Sequence, residues 1–254
     1  MPYLNAVPLV YALEREGGAH ELTYAEPSLL AEQLLAGEIA LGLIPLMEYL
    51  AGTGECVVPE VSISSRGRAR SVKLFANKPW EQVRVVAAHS ASRSSAAMAK
   101  VLLQERYGHE VELRRMAPDV SEMLRSADAA MLIGDPCLAA TEVDAAHQMD
   151  LGAAWDSFAG LPFVYAVWAT GTEEVPAALP DALVDAKRRG IGAIGEIGRR
   201  EAGRAGLSAS DIERYLQVDL NYDLTPEHIE GSRAFAELCV RHGLLREVGD
   251  IRLV

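Results

Sequence analysis

Cysteine is scarce: Cys56, Cys137 and Cys239 are the three copies in 254 residues, far apart and odd in number. No CxxC and no Cys/His cluster occurs, which argues against a zinc site or a disulfide framework and for three reduced, buried thiols. Aromatic residues make up only 6% of the chain. Positive charge is also short, with 24 Lys+Arg against 36 Asp+Glu and a formal net charge of −12. Nucleic-acid binding needs clustered Lys and Arg, so no nucleic-acid partner is expected. Apolar runs such as Phe163–Ala169 stop far short of the roughly 18 residues a membrane span requires. Met1-Pro2-Tyr3-Leu4-Asn5 lacks a basic segment followed by an apolar one, so the expectation is a cytoplasmic protein with no membrane partner. Phosphate loops of the GxGxxG or GxxxxGK[ST] kind and a GxSxG elbow are absent too. What is present is an apolar half, enough to exclude a disordered chain and to build one large domain or two ordinary ones.

Strand-like and helix-like segments alternate. Val10–Leu13 opens an amphipathic stretch stopped by Gly17-Gly18, and His20–Ala25 alternates like a strand. Pro27-Ser28 starts a helix bearing Leu29, Leu30, Leu34 and Leu35, and Ala40–Ile44 is a short strand closed by Pro45. Val57–Ser64 and Ser71–Ala76 read as extended, separated by an Arg66-Gly67 turn. Val83–Ala88, Val111–Met116 and Ala129–Ile133 read as strands, with helices over 92–107 and 118–126 and a short one from Asp135-Pro136. After Phe163–Trp168 the chain turns helical: a helix from Pro180 through Ile197, then Ser208–Val218 and Thr225–His242. Gly190, Gly192, Gly195 and Gly198 mark either close packing or a break in the first of these. Such units predict an α/β fold with largely parallel sheets.

Two extended stretches, Ser71–Lys78 and Phe163–Thr170, flank the middle block. The simplest layout makes them two crossings between an outer domain, residues 1–76 and 169–254, and an inserted domain, residues 77–168, with a ligand cleft between.

Small polar residues stand where strands give way to helices: Asn5, then Ser92, Ser94 and Ser95, then Asp135 after Gly134. Helix N-termini present unpaired N–H groups that suit carboxylates. Ordinary N-capping explains any one of these residues equally well. His89 and Ser92 allow a Ser/His pair, but no orienting acid is identifiable and a surface histidine is the default. Glu48 either points into the cleft or lies exposed on its helix.

Several stretches together resemble the chorismate dehydratase family (MqnA) of the futalosine route to menaquinone. They are Tyr3-Leu4-Asn5-Ala6-Val7-Pro8-Leu9, Leu43–Tyr49, Ser62–Gly67 with Ser71–Phe75, Ser92-Arg93-Ser94-Ser95, Ile133-Gly134-Asp135, Asp150-Leu151-Gly152 through Trp155, and Gly160–Trp168. The resemblance covers roughly the whole chain in order. The Tyr-Leu-Asn opening favours this family over its sibling, the naphthoate synthase of the same pathway. In two places the sequence departs from the family: apolar strand residues normally precede Tyr-Leu-Asn, and Ser94 replaces the usual threonine while keeping its hydroxyl. A short first strand and a displaced start are the two readings of the former.

The resemblance implies a type 2 periplasmic-binding-protein fold used as a cofactor-free lyase that removes water from chorismate to give 3-[(1-carboxyvinyl)oxy]benzoate. It implies catalytic roles for Asn5 and Ser71, with Asn5 at the departing hydroxyl. Ser65, Ser92, Ser94, Ser95, Gly134 and Asp135 would bind the substrate and its two carboxylates. No metal is implied, and the base would be the substrate's own enolpyruvyl carboxylate. A non-catalytic cytoplasmic binder of a cyclic or aromatic carboxylate is the alternative. Monomer and homodimer both stay open.

Overall fold

The computed structural model describes residues 3–16 and 21–254. Its strands are β1 (Leu41–Pro45), β2 (Cys56–Ser65), β3 (Val72–Ala76), β4 (Val85–His89), β5 (Glu112–Met116), β6 (Ala129–Ile133), β7 (His147–Asp150) and β8 (Phe163–Thr170). Its helices are α1 (Val7–Glu16), α2 (Pro27–Leu35), α3 (Leu46–Leu50), α4 (Ser94–Tyr107), α5 (Val120–Ser126), α6 (Gly134–Ala139), α7 (Leu151–Ala159), α8 (Leu179–Gly192), α9 (Ile194–Arg200), α10 (Ala209–Arg214) and α11 (Pro226–Arg241). No helix among the described residues is long and apolar enough to cross a membrane.

The strands form two sheets, one of order β1-β8-β2 and one of order β5-β4-β6-β3-β7. β8 is the centre of the first: seven of its eight residues are buried, because an inner strand covered on both faces reads as a continuous apolar run. In the second sheet β6 takes the same place, with Ala129, Ala130, Met131 and Leu132 buried. The largely parallel sheets expected from the sequence are not found. β8 runs antiparallel to both β1 and β2, and the second sheet is mixed: β4 is parallel to β5 and β6, whereas β3 is antiparallel to β6 and β7. The chain returns to the first sheet from the second unit rather than through a helix packed on the same sheet, so the constraint that makes βαβ crossovers parallel does not apply.

The expected domain boundaries also shift at the level of the strands. Val72–Ala76 pairs inside the second sheet and Phe163–Trp168 inside the first, so each lies across the boundary drawn from the sequence. The crossings are instead the segments between Ser65 and Val72 and between Asp150 and Phe163. They are tied together by Asp150, whose carboxylate accepts the N–H groups of Ala69 at 3.0 Å and Arg70 at 2.8 Å and caps α7 through Ala153 N–H at 3.1 Å.

Residues 21–26 alternate but form no regular element; alternation supplies a face, yet a strand exists only where an edge pairs with it, and β1 pairs with β8 alone among the described strands. His20 and the expected Gly17-Gly18 stop lie outside the described residues. The long helix from Pro180 breaks at Ala193 into α8 and α9. Within α8, Gly190 is there for close approach: a Cβ on it would lie 1.7 Å from the Pro8 carbonyl oxygen of α1. α1 and α8 thus touch backbone to backbone, and this contact fixes the helix that follows Asn5. Cys56, Cys137 and Cys239 are free and buried, and burial pushes the Cys137 and Cys239 thiols up to about 12.

Candidate active site

A cavity of about 810 Å³ opens between the two sheet units. Its polar wall is built at the places where strands hand over to helices. Asn5 sits in the single 3-10 turn Leu4–Ala6 that runs into α1. Ser71 stands at the end of the first crossing. Ser92, Ser94 and Ser95 belong to the turn between β4 and α4, and Gly134 opens α6 directly after β6. All six line the cavity. The rest of the lining is largely apolar, with Val10, Leu30, Leu41, Leu43, Trp168 and Leu183, and includes the carboxylates of Glu21 and Glu38. A ring-sized, partly apolar ligand with a few polar groups fits such a lining.

The four serines differ in what their hydroxyls have left to offer. Ser94 Oγ accepts from Met47 N–H at 3.0 Å and donates to the Tyr165 carbonyl at 3.0 Å. Its proton is spent on holding α3, β8 and α4 together. Ser71 Oγ accepts from the Tyr215 hydroxyl at 2.8 Å, so its own hydrogen is free to donate. Burial raises the Tyr215 phenol above its ordinary value, which keeps that proton in place. Ser92 is 3% exposed, and its Oγ has no hydrogen-bond partner among the described residues. A buried hydroxyl without a partner costs free energy unless something else fills its bond. Ser95 lines the cavity without a side-chain hydrogen bond to another described residue, and so does Asn5.

Gly134 has φ +60, and a Cβ there would press on the Tyr3 ring at 3.3 Å. Glycine therefore lets the start of α6 stack under Tyr3, another lining residue whose phenol burial pushes upward.

Two of the expected site residues stand outside the cavity lining. Ser65 is buried on β2 with its hydroxyl 2.9 Å from that of Tyr165. Asp135 accepts the Leu4 N–H at 2.9 Å and pairs with Arg204 at 2.7 Å. Its carboxylate is already occupied and repels a second anion, so it braces the turn that carries Asn5.

His89 corrects the surface expectation: at the end of β4 it is 2% exposed, and its Nδ1 has no partner among the described residues. Desolvation lowers its pKa, with the nearby Glu26 acting in the opposite sense, so the ring is neutral near pH 7. Glu48 is not an exposed helix-face residue either. Its carboxylate lies 2.7 Å from Arg93 Nε, with both side chains about four-fifths buried. Arg93 is the one Lys or Arg among the described residues that line the cavity. The sequence reading leaves Glu48 between the cleft and an exposed helix face and gives Arg93 no part. Their separate motifs carried the residues, but no local pattern announces a pair brought together by the packing of α3 on α4.

Comparison with known proteins agrees with this architecture. A family profile described as "Menaquinone biosynthesis" matches residues 1–241. A protein of Thermus thermophilus named chorismate dehydratase is 32% identical over 254 residues, covering 92% of each chain. Among solved structures, a protein from Archaeoglobus fulgidus superposes with a TM-score of 0.70 at 14% identity, over 96% of this chain and 97% of that one. The periplasmic aliphatic sulphonate binding protein of Escherichia coli superposes with a TM-score of 0.64 at 18% identity, over 98% and 87%. At these identities the structural matches establish a periplasmic-binding-protein-like fold and no more.

Proposed function

The chain belongs to the menaquinone-biosynthesis family, and we propose that it is a hydro-lyase that dehydrates chorismate to 3-[(1-carboxyvinyl)oxy]benzoate without a cofactor. The observation that carries this assignment beyond the family match is that Asn5, Ser71, Ser92 and Ser95 line one cavity together with a largely apolar set of side chains.

The chemistry asks little of a protein base. Losing the ring hydroxyl together with a ring proton aromatises the ring, so the driving force lies in the substrate. The protein must hold a dianion in the reactive geometry and stabilise charge on the departing oxygen. The Asn5 amide donates to the departing hydroxyl. The Ser71 hydroxyl, polarised by the donated bond from Tyr215, adds a second donor beside it. Ser92 and Ser95 bind carboxylate, and the substrate's enolpyruvyl carboxylate takes the ring proton. Ser65, Ser94 and Asp135 act one step back: Ser94 on the α3–α4 contact, Ser65 on Tyr165, and Asp135 on the Leu4–Ala6 turn. In this scheme the outer domain comprises the residues up to 65 and from 163, the inserted domain 72–150, and the cleft lies between them. Three unpaired cysteines suit a reducing compartment, and we place the protein in the cytoplasm.

The test is incubation with chorismate, followed by chromatography and mass measurement. Loss of one water with an aromatic product supports the lyase. Chorismate recovered unchanged from folded protein that binds it would establish the binding-protein alternative instead.

A further inference from the structure

A dianionic ligand in this cavity meets one cation, Arg93, and the state of that cation is unusual. Its Nε lies 2.7 Å from Glu48 Oε1, yet the Nε–H is not directed at that oxygen and counts as buried without a hydrogen-bond partner. The pair is held by charge, not by a linear bond. The two terminal nitrogens make no hydrogen bond to any described residue, and Arg93 lines the cavity. A guanidinium carries five N–H donors in a planar fork shaped for a carboxylate. Here the side chain is only 20% exposed, so most of its hydration is gone while its fork stays unfilled. The neighbouring Ser92 hydroxyl is buried and unpartnered as well.

From these three observations we infer that Arg93 is a substrate-binding residue that anchors the ring carboxylate of the substrate, with Ser92 as a co-donor and Glu48 as the residue that positions the fork. This rests on the dehydratase assignment for the identity of the ligand. The choice between the two carboxylates follows from their roles. An arginine fork lowers the basicity of a carboxylate it binds, which would disable the enolpyruvyl carboxylate as the proton acceptor. The ring carboxylate has no proton to take, so neutralising it costs the reaction nothing. Glu48 is registered to the site by Ser94, which bonds the Met47 N–H next to it.

The experiment uses two stable competitors of chorismate. 3-(Carboxymethoxy)benzoate carries both carboxylates, and phenoxyacetate lacks only the one on the ring. In the native protein, phenoxyacetate is expected to bind about tenfold more weakly or worse, the scale of one charge-assisted bidentate contact. In Arg93→Gln, with its fold checked by circular dichroism, the two compounds should bind about equally and the KM for chorismate should rise with kcat changed little. Arg93→Lys should restore part of the discrimination. Glu48→Gln should lower discrimination and raise KM in the same direction, which a residue serving only stability would not do.

Discrimination retained in folded Arg93→Gln, or absent from the native protein, overturns the inference. If Arg93→Gln does not fold, the Lys and Gln variants at the two positions read the same ratio. Should the native protein discriminate between the competitors but leave chorismate intact, the dehydratase assignment fails and the anchor stands. Turnover by the native protein with discrimination preserved in Arg93→Gln sinks the anchor alone.

Discussion

Tyr215 donates its phenolic hydrogen to Ser71 Oγ at 2.8 Å, and this bond links the helical C-terminal part of the chain to the end of the first crossing. It leaves the Ser71 hydrogen unspent at a residue that lines the cavity, available to a ligand oxygen. Tyr215→Phe should therefore lower kcat several-fold and cost about 1 kcal/mol of stability, the net worth of a buried neutral hydrogen bond. Ser71→Ala, which removes the donor itself, should lower kcat more than Tyr215→Phe and cost more stability as well, because it leaves the buried Tyr215 hydroxyl without its acceptor. Steady-state rates and urea unfolding of the two variants test the order; equal kcat in both would mean that the Ser71 hydroxyl adds nothing beyond its bond with Tyr215.

Asn5 has a different signature. Its side chain has no partner among the described residues and projects from a turn anchored by Asp135, so its loss should leave the fold intact. Asn5→Ala is expected to retain chorismate binding while kcat falls about a hundredfold, the order seen when one donor to a developing oxyanion is removed. Binding titration beside the rate measurement separates the two effects, and unchanged turnover would remove Asn5 from the chemistry.

Much of this was legible in the sequence because it is local. The β-branched and aromatic run Phe163–Trp168 announces an extended segment, and β8 is one, although it lies inside the first sheet and not across the boundary where the sequence reading puts it. Ser92, Ser94, Ser95 and Gly134 stand at strand-to-helix turns, and their sites follow from the order of elements. What was not legible depends on partners distant in sequence. Residues 21–26 have the alternation of a strand and no edge to join. Asp135 looked like a binding residue until Arg204 and the Leu4 N–H occupied it. The Arg93–Glu48 pair joins residues whose motifs lie on separate helices. His89 looked exposed because a single histidine after a strand carries no mark of what covers it.

That burial gives His89 a pH signature. Its folded pKa is lowered by desolvation, and His228 is shifted the same way for the same reason. The unfolded chain takes up protons first as the pH falls through the ordinary histidine value of about 6.5. Stability contributed by these neutral rings is thus fully present above that value and is lost as the pH drops toward their folded values. Urea midpoints should fall between pH 7 and 5, and the fall should be smaller in His89→Gln. A variant with the same pH slope as the parent would assign the loss to other groups.

Asp135 separates bracing from binding. Its carboxylate joins Leu4 N–H and Arg204, and it does not line the cavity. Asp135→Asn keeps an oxygen for Leu4 but gives up the ion pair, whereas Asp135→Ala leaves both the N–H and the guanidinium without this acceptor. Arg204 keeps its pair with Glu201, so the alanine variant should lose about 1–3 kcal/mol of stability, the range for leaving a buried donor such as the Leu4 N–H without its acceptor, and the asparagine variant less. In both, the damage to catalysis should come through kcat, because the turn bearing Asn5 loosens while the carboxylate-binding wall of Ser92 and Ser95 is untouched. A direct ligand would behave in the opposite way: removing a carboxylate that faces a dianion would change KM first. Measuring kcat and KM for the two variants therefore decides the role, and a KM change with kcat preserved would return Asp135 to the binding site.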